Sequence, residues 1–458
     1  MNIYLHVEIS NRELDSKLLL ATLAASRGHQ VIVSDIVGIE KGVKNGLLAP
    51  GIFHTKSLSP HKDKIARHKN MIDKGFIITS MDEEGNLNDY GYDSDAKTRF
   101  SNQTIEQSSA VFGWGTDDVE ILKKIYPKYS NRIHKTGSPR ADLWKPLFAD
   151  YWNISSKTPK KPFLLISCNT GYSNNINSLG KLIKFENEIG RYQSNPAHLE
   201  TTLGRYAEDF NKMLAYIEAV KYLSKNSNGY DIVFRPHPAE DMETWKIIFS
   251  GISNVHVIRD GPINSWLKNS FAVMHSSCTT AIEAVISKKP LLTYKLSGQK
   301  YSPQLTNELG YQVYSPKELL DKVNTIFDQN NSSKENNLKE SLPSIISNKI
   351  SFDDELAANK MIKIWEKLEN KKLSRSSDFK KFRILLKYMT FKKKIKKILK
   401  SFLPNRFKHI DKNPKFSDLN QCVINEKIKK FQKILGLRNN VECDLLSKKT
   451  IYIRVSKS

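Results

Sequence analysis

The sequence predicts an α/β fold of two units, each a parallel sheet wrapped by crossover helices. Three observations predict it. Short apolar runs of strand length alternate with longer helical patterns along residues 1–328. The alternation pauses once, at the hydrophilic stretch SSKTPKK (155–161), and then restarts. The chain has 458 residues, too many for one compact core.

In order, NIYLHVEI (2–9) reads as a buried strand, and ELDSKLLLATLAASRG (13–28) as a helix closed by Gly28. QVIVSDI (30–36), FIITSM (76–81), AVFGWG (110–115) and RIHKTG (132–137) read as further strands, with DDVEILKKIY as an intervening helix. Asp117–Asp118 is read there as a helix start rather than a metal-binding pair. The second unit begins with FLLISCNT (163–170), a long helix near 197–226 and the strand YDIVFRPHP (230–238). A helix over DMETWKIIF, the run VHVIRDG, FAVMHSS (271–277), the helix TTAIEAVISK and the strand PLLTYK follow. QNNSSKENNLKESLPSIISN (329–348) reads as a loose linker and DDELAANKMIKIWEKLE (353–369) as an amphipathic helix. The expected division is a domain over 1–152, a second over 160–328, a linker over 329–352, a helix over 353–370 and a basic extension over 371–458.

Composition excludes several classes. Four cysteines stand far apart, with no CxxC pair and no Cys/His cluster, which argues against a zinc site or a disulfide framework. The N-terminus lacks the layout of a signal peptide, and no run of 18 apolar residues occurs. GxGxxG, GxxxxGK[ST] and GxSxG are all absent. The formal charge of +24 is uneven: fifteen Lys/Arg against one acid between Lys371 and Lys408 give +14 there. Such a block calls for a polyanionic neighbour, lipid or nucleic acid, or for much solvent.

Ligands of open α/β sheets bind beyond the carboxyl ends of strands, and five motifs have that position. MDEEG (81–85) ends an apolar run with three crowded acids, Asp82, Glu83 and Glu84, which raise one another's pKa. It suits a solvated turn or a general base. In FRPHPAE (234–240), Pro236 and Pro238 stiffen the backbone around His237, and Arg235 adds charge for a phosphate; the plain alternative is a polar turn. In HSSCTTAIEA (275–284), His275, Ser276, Ser277 and Thr279 precede or open a helix, where unpaired N–H groups attract anions. Glu283 lies further along for ribose hydroxyls, and ordinary N-capping is the plain alternative. TGSPRADLW (136–144) carries Arg140 and Asp142 after a tight turn, and NREL carries Arg12 and Glu13 after the first strand.

The order of an acidic motif (Glu83-Glu84-Gly85), an HP motif (His237-Pro238) and an S-S motif (Ser276-Ser277) resembles bacterial sialyltransferases and related Kdo transferases. TGSPRADLW and HSSCTTAIEA also resemble the bacterial surface carbohydrate biosynthesis proteins of capsule and lipopolysaccharide loci. The resemblance covers roughly residues 1–330. It implies a GT-B glycosyltransferase, two Rossmann-like domains facing a cleft, with no metal and no cofactor beyond the donor substrate. The implied donor is a CMP-activated 2-keto-acid sugar, and the implied acceptor is a surface glycan or lipid-linked saccharide. Carried over, His237 contacts the donor phosphate, Ser276 and Ser277 bind the phosphate or the sugar carboxylate, and Glu83 or Glu84 is the general base. A retaining route would need a second carboxylate as nucleophile, for which Asp142 is the candidate. A donor such as CDP-glycerol or a UDP-sugar is the alternative.

KKFRILLKYMTFKKKIKKILKSFLPNRF (380–407) interleaves lysines with apolar residues, the pattern of a helix lying on an anionic membrane. A solvated basic helix packed on the first domain is the plain alternative. No nucleic-acid module occurs in the two α/β units. The expected location is the cytoplasm, peripheral on the inner face of the bacterial cytoplasmic membrane.

Overall fold

The structure, a computed structural model, describes residues 1–83, 96–97, 99–175, 178–188, 190–301, 304–331, 344–368, 376–401 and 416–456. Among the described residues, fourteen strands follow in order: β1 (Asn2–His6), β2 (Gln30–Ser34), β3 (Ile52–Thr55), β4 (Ile77–Met81), β5 (Ala110–Gly113), β6 (Ile133–Lys135), β7 (Phe163–Ser167), β8 (Asp231–Arg235), β9 (Val255–Val257), β10 (Ala272–His275), β11 (Leu291–Tyr294), β12 (Tyr311–Val313), β13 (Val441–Ser447) and β14 (Thr450–Val455). The chain forms two units: residues 1–143 with 347–458, and residues 144–346. Each is a doubly wound α/β unit, as the GT-B expectation requires of each domain.

The first unit has strand order β13-β14-β2-β1-β3-β4-β5-β6. Strands β1 to β6 are parallel, with Leu5 level with Val33 on one side and His54 on the other. Their short apolar runs are buried on both faces, which a parallel sheet covered by helices requires. The helix Ser10–Ser26 is buried nearly all round, because the helices Ala357–Leu368 and Gln421–Leu435 both lie against it. A helix without a solvated face carries little amphipathic pattern, as SKLLLATLAAS shows. Helix Ala357–Leu368 buries Met361, Ile362 and Trp365, and the Trp365 indole donates to Thr79 Oγ1 at 3.1 Å.

The second unit is all parallel, in the order β12-β11-β10-β7-β8-β9. Its core gathers Leu164, Ile166, Ile232, Phe234 and Met274 from the strands with Tyr216, Val220 and Leu223 of the long helix Ala197–Asn226.

The end of the chain corrects the expected organisation. Residues 416–456 are no appendage: β14 pairs antiparallel with β2, Tyr452 opposite Ile32, and β13 pairs with β14. The hairpin covers the β2 edge that the parallel sheet would otherwise expose. Its own outer strand carries charge, with Arg454 paired to Glu442 and Asp444. The linker is also shorter than expected, since a helix runs over Pro316–Asn331 and another over Ser344–Lys349. Among the described residues no helix is long and apolar enough to cross a membrane.

Candidate functional site

In each sheet the strand order reverses at one place, and that is where the loops beyond the carboxyl ends part to admit a ligand. In the second unit the reversal lies between β7 and β10, with β8 on the far side of β7. Three loops therefore stand side by side: 168–171 after β7, 236–240 after β8 and 276–279 after β10.

Glu240, missed in the sequence reading, ties the first two together. It is fully buried. Its Oε1 accepts from the N–H groups of Thr170 (2.9 Å) and His237 (3.0 Å). Its Oε2 accepts from Thr170 Oγ1 (2.9 Å) and the Trp245 indole (2.6 Å). Arg259 Nη1, also missed, donates to the His237 and Glu240 carbonyls, both at 2.9 Å. His237 sits at the exposed tip, between buried Pro236 and exposed Pro238. Ala239 N–H donates to its Nδ1 at 3.2 Å, which leaves the ring proton on Nε2. Burial of the ring's surroundings, with Arg259 and Lys212 nearby, lowers its pKa against the opposing pull of Glu240 and Asp209, so the neutral donor form is favoured. A Cβ on Gly171 would lie 3.8 Å from His237 Nδ1, so the β7 loop passes directly beside the ring.

The third loop is held as firmly. Ser277 has φ +57°, a left-handed conformation unusual for a side-chain-bearing residue. Asn307 holds it there: its Oδ1 accepts from Ser277 N–H at 2.8 Å and its Nδ2 donates to Ser277 Oγ at 2.9 Å. Asn169 Nδ2 donates to the Ser277 carbonyl at 3.1 Å, joining this loop to the one after β7. Ser276 N–H donates to the Tyr216 hydroxyl at 2.8 Å, and Ser276 Oγ accepts from Gln299 at 3.2 Å. Both serine side chains are buried, whereas Thr279 is exposed ahead of the helix Thr280–Ile286.

Two expected ligand contacts, His275 and Arg235, have other work here. His275 is fully buried; its Nδ1 accepts from Cys278 N–H at 3.4 Å. Thr293 Oγ1 donates to the Leu309 carbonyl and so accepts from His275 Nε2–H at 2.8 Å. Arg235 donates to the carbonyls of Asp260 (2.9 Å) and Gly261 (2.5 Å), anchoring the loop after β9, and burial lowers its pKa to about 10. Glu283 is buried and close enough to Arg235 for its charge to act on it.

In the first unit the reversal lies between β1 and β3. Glu8, beyond β1, pairs with Lys56, beyond β3. Next along, beyond β4, stands the acidic motif. The Asp82 carboxylate is held by Arg99 through Nε and Nη2, and its carbonyl accepts from the Trp114 indole at 2.8 Å. Glu83 is buried against Lys17 of the helix Ser10–Ser26. Its N–H donates to the Lys56 carbonyl at 3.2 Å, and Arg140 Nη1 lies 3.5 Å from its carbonyl oxygen. Among the described residues, each of the two acids of the motif is thus answered by one cation, Asp82 by Arg99 and Glu83 by Lys17. Lys17 and Arg99 were missed; a lone lysine inside an apolar helix was the signal for the first. Glu84 lies outside the described residues.

Asp142 and Glu13 serve the backbone. The two Asp142 oxygens accept from Ala357 N–H and Ala358 N–H, both at 3.1 Å, capping the helix Ala357–Leu368. Glu13 Oε2 accepts from Glu8 N–H at 2.8 Å and Ile9 N–H at 3.3 Å, while Arg12 donates to its Oε1 at 2.9 Å. A carboxylate committed to two backbone donors has no geometry in favour of a nucleophile's role. Asp118 behaves as expected, its carboxylate accepting from Trp114 N–H (2.8 Å) and Gly115 N–H (3.2 Å).

No protein-family model matches the chain. No curated protein matches it. Solved structures do. A UDP-GlcNAc 2-epimerase from Methanocaldococcus jannaschii is 12% identical, with TM-score 0.47, over 80% of this chain and 100% of that one. The Neisseria meningitidis UDP-GlcNAc 2-epimerase bound to UDP-GlcNAc is 10% identical, with TM-score 0.45, over 80% and 100%. The wall teichoic acid polymerase TagF, soaked with CDPG, is 11% identical, with TM-score 0.44, over 81% and 90%. At such identities and scores these likenesses assign no activity to this chain.

Proposed function

We propose that the protein is a glycosyltransferase that moves a 2-keto-acid sugar, of the Kdo or sialic acid type, from a CMP donor to a hydroxyl of a surface glycan or lipid-linked saccharide. The observation that carries this reading is the gathering of the HP and S-S loops beside one another at the strand reversal of the second unit. That is where a nucleotide phosphate binds in such sheets.

In this reading His237 donates its Nε2–H to the donor phosphate, and the exposed Thr279 hydroxyl stands on the neighbouring loop. Ser276 and Ser277 shape that loop from beneath. The acceptor oxygen bonds to the anomeric carbon as the bond from that carbon to the phosphate oxygen breaks. The acceptor proton passes to Glu83 or Glu84, and CMP departs with the electron pair. A fixed N–H aimed at the departing phosphate stabilises charge that grows in the transition state. A carboxylate takes the proton.

The test is nucleotide-dependent thermal stabilisation. CMP at about 100 times its dissociation constant should add about 2.7 kcal/mol, and UDP and GDP much less. His237→Ala should remove the CMP shift without lowering the unliganded melting temperature. Stabilisation by UDP or CDP-glycerol with none by CMP would move the reading to another donor. Turnover of CMP-Kdo or CMP-sialic acid then identifies the sugar.

A further inference from the structure

The helix Phe379–Ser401 has two apolar faces. One is used: Phe382 and Leu386 are buried in the first unit's core with Tyr452, Leu446 and Ile39. Phe379 stacks on Tyr452 with ring centroids 4.1 Å apart. The other face is bare. Ile384, Tyr388, Phe391 and Ile395 are 66%, 59%, 61% and 40% exposed. Their spacing of four, three and four residues places them within an arc of about 60°, roughly opposite Phe382 and Leu386. The stripe is about 16 Å long at the α-helical rise.

Charge borders that stripe on both sides. At 3.6 residues per turn, Lys381 and Lys392 flank one edge, and Lys380, Lys387 and Lys394 the other; all five are exposed. The helix carries ten basic residues and no acidic one. Four large apolar side chains in a row distinguish this surface from a nucleic-acid groove, where phosphate contacts dominate. Lysines along both edges distinguish it from a protein interface core, where lysine is depleted. Both features suit a helix lying in the headgroup layer, its apolar side chains dipping inward and its lysines reaching out to lipid phosphates.

We propose that this outward face is a docking surface for an anionic lipid bilayer. The inward face, seated in the first unit's core, fixes the helix to the body of the protein. The bilayer therefore holds that unit in a defined orientation rather than on a loose tether.

The test uses the full-length chain and vesicles. Flotation with phosphatidylcholine vesicles containing 30% phosphatidylglycerol, about one lipid in three, should recover the protein, at least tenfold more than pure phosphatidylcholine does, and recovery should fall as salt rises. Two variants separate the apolar contribution from the charge: Tyr388→Ser with Phe391→Ser, and Lys387→Glu with Lys394→Glu. Each pair should lower vesicle binding at least tenfold while leaving the circular dichroism spectrum and melting temperature unchanged. Wild-type-like vesicle binding by either pair would overturn the proposal. So would a dimer in solution that the serine pair dissociates, or duplex RNA binding that outcompetes the vesicles.

Discussion

At the scale of single residues, the two described acids of the motif, Asp82 and Glu83, are each held in an ion pair. Lys17 and Glu83 are both buried, so neither charge is solvated when the other is removed. Lys17→Met should therefore destabilise the first unit by about 3–5 kcal/mol, and Lys17→Met with Glu83→Met should recover much of that loss. Urea melts of the two single variants and the double variant measure the coupling; additive losses would mean that the pair is not coupled. The sequence showed the acids of MDEEG but not their cations. Lys17 lies 66 residues upstream of Glu83, and only the fold brings it beneath β4. Glu240 was hidden differently, as the last letter of FRPHPAE, because a carboxylate that binds backbone N–H groups leaves no local pattern.

Elements were legible where each carried its own signal. Runs such as VIV, FLLI and AVM are apolar throughout, and they form the bodies of β2, β7 and β10. Expected strands were too long at their carboxyl ends, because the sheet stops where the loops of the candidate sites begin: β1 ends at His6 and β8 at Arg235. β3 (IFHT) and β12 (YQV), four and three residues long, have no counterpart in the sequence reading: each mixes polar with apolar residues over too few positions to show a period. The hairpin β13–β14 was missed although VECDLLSKKTIYIRV alternates, since the basic block before it drew the whole tail into one reading. Asp142 shows how an element disguises a residue. As the cap of the helix Ala357–Leu368 it joins two segments 215 positions apart. Asp142→Asn keeps one acceptor oxygen, so turnover should stay within a few-fold. Asp142→Ala should cost about 2 kcal/mol. A loss of turnover above a hundredfold in Asp142→Asn with the fold intact would restore the nucleophile reading.

Across the whole molecule, both units bury neutral imidazoles near their sites, and this sets a common response to acid. Burial lowers His6 in the first unit to about 3, with Lys56, Arg67 and Lys17 adding to the effect and Glu8 opposing it. Burial lowers His275 in the second unit to about 3 as well. His54, its ring centroid 5.4 Å from that of Trp365 in the first unit, is pushed the same way by burial and by Lys17. Unfolding releases these rings to their ordinary value of 6.5, so between 6.5 and 3 the unfolded chain holds protons that the native chain does not. Their contribution is complete above pH 6.5 and is lost as pH falls, at about 1.4 kcal/mol per pH unit for each ring. The urea midpoint should thus be flat from about pH 8 to 7 and drop steadily below about pH 6.5, before most carboxylates titrate. His275→Asn keeps an acceptor for Cys278 N–H and removes one titrating ring. Its stability should be lower at pH 7, where the bond to Thr293 is lost, and fall less steeply towards pH 5. An unchanged slope in that variant would place the proton uptake elsewhere. A wild-type midpoint that stays flat down to pH 5 would mean that these rings are hydrated in the native protein.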